Sequence, residues 1–92
     1  MTILEEAIEV FGKDMQLTVA TEEFSELTKE LCKNKRGEDN RKAIIEEMAD
    51  CYIMLEQLEI IYEIKDDEIY SVMFDKLNRL ESRLAERKEN ET

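Results

Sequence analysis

No proline interrupts the 92 residues, and only two glycines do, Gly12 and Gly37. A chain with so few breakers cannot make the many turns of a β-sandwich or barrel. Apolar residues recur at helical spacing nearly throughout. The pattern predicts an all-α fold, an antiparallel helical bundle of about four helices in one domain spanning residues 1–92. A chain this short buries only about 60–65% of its unfolded surface, so its own core is barely adequate.

Four helices can be drawn. The first is expected over about Thr2 to Phe11, with Thr2 as its cap and Ile3, Leu4, Ala7, Ile8 and Phe11 on one face. Gly12 ends or bends it. The second runs over about Lys13 to Asn34, with the stripe Leu17, Ala20, Phe24, Leu27 and Leu31. Lys33 to Gly37 is the break, Gly37 suiting a left-handed position past the helix end. Asp39 or Asn40 caps a third helix reaching about Tyr62. Asp66 or Asp67 caps a fourth, over about Glu68 to Lys88, with the stripe Ile69, Met73, Leu77, Leu80 and Leu84. A third helix of about 24 residues is roughly 36 Å long, against a radius of gyration of about 12 Å for a compact chain of this size. That mismatch predicts a homo-oligomer, dimer or tetramer, whose copies complete the core, with Met54, Leu58 and Ile61 on the flank that a partner covers.

Charge narrows the function. Thirteen basic and 24 acidic residues give 13 − 24 = −11. Residues 1–31 carry −6, residues 32–42 carry +3, residues 43–70 carry −8 and residues 71–92 carry 0. Such an acidic balance argues against binding nucleic acid or an anionic membrane. No run approaches the roughly 18 apolar residues of a membrane span, and the acidic N-terminus is unlike a signal peptide. Cys32 and Cys51 form no framework of disulfides; they read as small apolar residues in a reducing, cytoplasmic setting. Histidine is absent, which excludes Ser-His and Cys-His catalysis, His-ligated zinc and a Glu-x-x-His di-iron site.

Most of the acidic residues can be solvated helix surface, but some cannot. From Ala43 to Leu55, ten of 13 positions are apolar, the exceptions being Glu46, Glu47 and Asp50. A helix that is apolar nearly all round is normally buried, and a carboxylate there is costly unless it is paired or binds a metal. At 100° per residue, Glu47 and Asp50 lie about 70° and 130° to one side of a core line through Ile44, Met48, Cys51, Leu55 and Tyr62. On the second helix Glu23 and Glu26 lie about 75° and 135° to one side of the line through Ala20, Phe24, Leu27 and Leu31. A short connection makes the two helices antiparallel, so four carboxylates can line one edge pocket. They repel one another unless some stay protonated or a hard divalent cation with oxygen ligands, such as Mg²⁺, joins them. The basic connection (Lys33, Lys35, Arg36, Arg41, Lys42) and the fourth helix (Lys76, Arg79, Arg83) can hold phosphates.

These residues resemble the MazG-like all-α nucleoside triphosphate pyrophosphohydrolases, whose pattern is EExxE followed at a distance by ExxD. Here it stands as Glu22-Glu23-Phe24-Ser25-Glu26 and Glu47-Met48-Ala49-Asp50, 20 residues apart. Lys29-Glu30-Leu31-Cys32-Lys33, Arg36-Gly37 and the apolar run to Gln57-Leu58 match the surroundings, and the likeness covers about residues 12–84. The resemblance implies hydrolysis of a nucleoside triphosphate between its α and β phosphates, to a monophosphate and pyrophosphate. It implies Mg²⁺ as cofactor, with Glu23, Glu26, Glu47 and Asp50 as ligands and Glu26 or Glu47 orienting or deprotonating the attacking water. Glu22 sits on another face. Gln16 stands where family members often carry a glutamine that faces the nucleotide, and Lys33, Arg36, Lys76 and Arg79 are the candidate phosphate contacts. The alternatives are an acidic helical interaction module without catalytic activity, which leaves Asp50 unexplained, and a member that binds nucleotide without turnover.

Overall fold

The computed structural model describes residues 1–91, which form α1 (Ile3–Phe11), α2 (Lys13–Lys35), α3 (Arg41–Ile61) and α4 (Asp66–Asn90). Among the described residues no helix is long and apolar enough to cross a membrane.

Local chemistry sets the helix ends. The Thr2 hydroxyl accepts from the Glu5 N–H at 3.2 Å, satisfying one of the free donors of the first turn. Gly12, with φ of 91°, donates its N–H to the Ile8 carbonyl and turns the chain directly into α2. Both later helix ends close in the same way. Past α2, the N–H groups of Gly37 and Glu38 bond the carbonyls of Asn34 and Lys33. Past α3, those of Glu63 and Ile64 bond the carbonyls of Ile60 and Glu59. This double closure needs a left-handed residue: Gly37 supplies φ of 104°, whereas at the second site Glu63 takes φ of 53°. At the head of α4 the Glu68 carboxylate accepts from the Lys65 N–H at 2.7 Å, and Asp66 and Asp67 share its first turn, where negative charge suits the helix dipole.

Asn40 stands just before α3, as expected, but does not cap it. Its side-chain N–H groups reach back to α2, donating to the Glu30 carbonyl at 2.9 Å and the Glu30 carboxylate at 2.6 Å. That clamp closes the turn of residues 36–40 and sets α2 and α3 antiparallel. They form the main contact of the molecule, with α1 packed on both. Ala20, Cys51 and Met54 are the buried apolar residues, joined by buried Gln16 and Gln57. The Gln16 amide donates to the Gln57 side-chain carbonyl at 2.7 Å, satisfying polar groups that would otherwise be costly in a core.

The four expected helices are present, and within the single chain α1, α2 and α3 pack on one another. α4 runs clear of them, with Ile69 alone half-buried, so the radius of gyration is 17.5 Å and the extents are 58 × 36 × 18 Å. The face of α3 that turns inward differs from the expected one. It carries Cys51, Met54 and Gln57, while Met48, Leu55 and Tyr62 are 43, 49 and 58% exposed. Met54, expected on a partner-facing flank, is core, and Leu58 and Ile61 are half-buried beside it. A helix that is apolar nearly all round does not encode which side faces in. Close approach at Ala20 and the Gln16–Gln57 bond select it.

Candidate metal centre

Rotating α3 in this way brings its acidic pair inward. Glu47 and Asp50 flank the buried Met54 line instead of lying off its edge, and both are half-buried. Glu23, one turn beyond Ala20 on α2, meets them. One carboxylate oxygen from each of Glu23, Glu47 and Asp50 lies within 4.8 Å of the others. Among the described residues no Lys or Arg forms an ion pair with any of the three; ion pairs lie elsewhere, as at Lys33–Glu30 and Arg87–Glu91.

The electrostatics follow from crowding without compensation. Burial raises the Glu23 carboxyl above its ordinary value, helped by a hydrogen bond to Asp50 and by the charges of Asp50, Glu47 and Glu26. Burial also raises Glu47, followed by the charges of Asp50, Glu26, Glu30 and Glu46. The Oε2 atom of Glu47 is buried and has no hydrogen-bond partner. Beneath the cluster the Cys51 thiol donates to the Glu23 carbonyl at 3.5 Å; burial pushes that thiol up, with Glu23, Glu47 and Asp50 adding to the effect.

Compared with protein-family models, with characterised proteins and with solved structures, the chain matches none.

The other residues singled out in the sequence are spread over the molecule. Glu26 is exposed at the rim, close enough for its charge to raise Glu23 and Glu47, but outside the group of three. Glu22 is exposed on another face. Lys33 and Arg36 lie at the end of α2, Lys33 bonded to Glu30 at 3.4 Å and Arg36 exposed. Gln16 is in the core, bonded to Gln57, and Lys76 and Arg79 are exposed on α4, away from the cluster.

Two contributors were not singled out. Glu30 extends the acidic line of α2, seven residues after Glu23, and is lowered from its ordinary value by the Asn40 hydrogen bond, with Lys33 and Lys29 helping. The spacing Glu23, Glu26, Glu30 carries that signal in the sequence. Gln57 had a weaker one, as a polar residue at the end of the apolar run.

Proposed function

We propose that this chain is a Mg²⁺-dependent nucleoside triphosphate pyrophosphohydrolase of the MazG-like kind, cleaving between the α and β phosphates to release a monophosphate and pyrophosphate. The observation that carries the reading is the buried, unpartnered Oε2 of Glu47 beside Glu23 and Asp50. An acceptor held out of water among like charges is costly unless something positive meets it. Three carboxylates and no nitrogen or sulfur donor make a set suited to a hard divalent cation.

Glu23, Glu47 and Asp50 would hold Mg²⁺, with Glu26 reaching it from the rim. Bound there, the ion would spread the charge developing on the phosphate oxygens and acidify a water. Glu26 is the carboxylate with room to orient that water and accept its proton, since it is exposed and stands outside the group of three. Glu47 is the other candidate. Lys33 and Arg36, at the end of α2, are the cations that would contact the phosphates. Gln16, bonded into the core, and Lys76 and Arg79, on an α4 clear of the cluster, take no part in this reading.

A cytoplasmic homo-oligomer completes it. Leu27, Met48, Cys51, Tyr52 and Leu55 line an apolar groove of about 240 Å³, on the flank of α3 away from Asp50. Tyr52 is 65% exposed there, and a second copy covering this surface supplies the core that one chain lacks. Both cysteines are free, as a reducing compartment keeps them. The deciding experiment assays pyrophosphate release from a panel of nucleoside triphosphates with and without Mg²⁺, on wild type and Glu47→Gln. Release that needs both Mg²⁺ and Glu47 supports the reading. Absence of release across the panel, or release indifferent to Glu47, overturns it.

A further inference from the structure

We propose that α4 is a homotypic docking helix: the α4 helices of two copies pair in parallel as a short coiled coil along Tyr70, Met73, Leu77, Leu80 and Leu84. This deepens the homo-oligomer part of the reading above, on which it rests, and owes nothing to the metal centre. The five residues are 64, 48, 59, 46 and 50% exposed on a helix that runs clear of its own chain. They are spaced alternately three and four residues apart. That seven-residue repeat keeps one narrow seam facing a second helix as the two supercoil. Ile69, the neighbour outside the strict repeat, is the residue that packs half-buried at the start of α4.

The flanking charges identify the occupant and its direction. Ile69, Lys76 and Arg83 precede the seam residues Tyr70, Leu77 and Leu84, while Phe74, Glu81 and Lys88 follow Met73, Leu80 and Arg87. In a parallel pair each residue of the first set meets the member of the second set five places on in the other copy. Ile69 then meets Phe74 and Lys76 meets Glu81, an apolar pair and an opposite-charge pair, each made twice. The like-charged pairs, Arg83 with Lys88 on the flank and Arg87 with Arg87 in the seam, fall at the distal end. An antiparallel pair instead sets the like charges Lys76 and Arg83 against each other mid-helix, twice. The parallel arrangement is the one that keeps like charges out of the middle of the helix.

Sedimentation equilibrium at micromolar concentration tests this on the full chain, with circular dichroism to follow helix content. Wild type is expected to be dimeric. Leu77 and Leu84 are exposed in the single chain, so Leu77→Glu with Leu84→Glu should leave α1 to α3 folded and raise the dimer Kd by roughly a hundredfold or more. Lys76→Glu should weaken the dimer by about tenfold, and adding Glu81→Lys should restore it. A dimer indifferent to Leu77→Glu with Leu84→Glu overturns the α4 assignment and leaves the homo-oligomer intact, docked elsewhere, as at the Tyr52 groove. Tightening by Lys76→Glu overturns the parallel direction. A wild type that stays monomeric overturns the proposal and the homo-oligomer reading together.

Discussion

Asp50 carries much of the crowding at the acidic cluster, because its charge raises both Glu23 and Glu47 and its side chain is bonded to Glu23. Asn at this position keeps the shape and a hydrogen bond while removing the charge. Asp50→Asn is therefore expected to fold, to hold or raise the melting temperature without metal, and to lose Mg²⁺-dependent turnover by roughly a hundredfold or more, beyond the 10–100-fold typical of losing an outer-shell partner. Thermal melts and pyrophosphate release measure the two effects separately. Near wild-type turnover at limiting Mg²⁺ would sink the ligand assignment. Glu23, Glu47 and Asp50 were legible as an acidic group because carboxylates stood at i, i+3 spacing and one interrupted an apolar run. The exposure of Glu26 was not legible. Three residues past Glu23 it sits about 60° further round the helix, and whether that lies inside or outside depends on how α2 is rotated.

Two features of the helices can be tested by substitution. Glu63 closes α3 in the left-handed region, φ of 53°, where a side chain is disfavoured. Glu63→Gly should stabilise the chain by about 0.5–1 kcal/mol, read from urea denaturation; a loss of stability would mean that the Glu63 side chain makes a contact worth more than the strain. The Gln16–Gln57 bond sets the register of α2 on α3. Gln57→Leu alone leaves a buried donor on Gln16 and should cost about 1–3 kcal/mol. Gln16→Leu with Gln57→Leu removes both partners and should recover most of that loss. A double variant as unstable as the single one would show that the site demands polar groups for another reason. Helix existence and most boundaries were legible, since periodicity, Thr2, Gly12 and Gly37 act locally. The inward face of α3 was not: apolar residues lie nearly all round it, and the Gln16–Gln57 pair that helps fix its rotation joins residues 41 apart. The course of α4 was equally hidden, because its stripe fits its own chain and a second copy alike.

At the scale of the whole molecule, these shifts predict a coupling of protons, a bound cation and stability. Without metal, Glu23 and Glu47 are raised above the ordinary value of 4.5 by burial first and by neighbouring charge second. Glu59 is raised by its hydrogen bond to Asp66, with burial adding to it. A carboxylate with a raised folded pKa takes up protons on folding. Its stabilising contribution is lost as pH rises through the folded value and complete below the unfolded one, so the metal-free chain should hold or gain stability as pH falls from about 7 toward about 5. Glu30 works in the opposite sense: lowered by Asn40, it contributes above the ordinary value of 4.5 and loses that contribution as pH falls below it, outside this window. Mg²⁺ bound to Glu23, Glu47 and Asp50 would reverse the sign for that group, because the ion would favour the ionised forms and acid would displace it together with its stabilisation. The Mg²⁺-minus-apo difference in melting temperature is the quantity to follow, since the other acidic residues of a −11 chain contribute to both curves and largely cancel. It should be positive near pH 7 and shrink toward about pH 5. Asp50→Asn should reduce it most where it is largest. A difference that is zero at neutral pH, or that is unchanged down to about pH 5, would leave the three carboxylates without a bound cation.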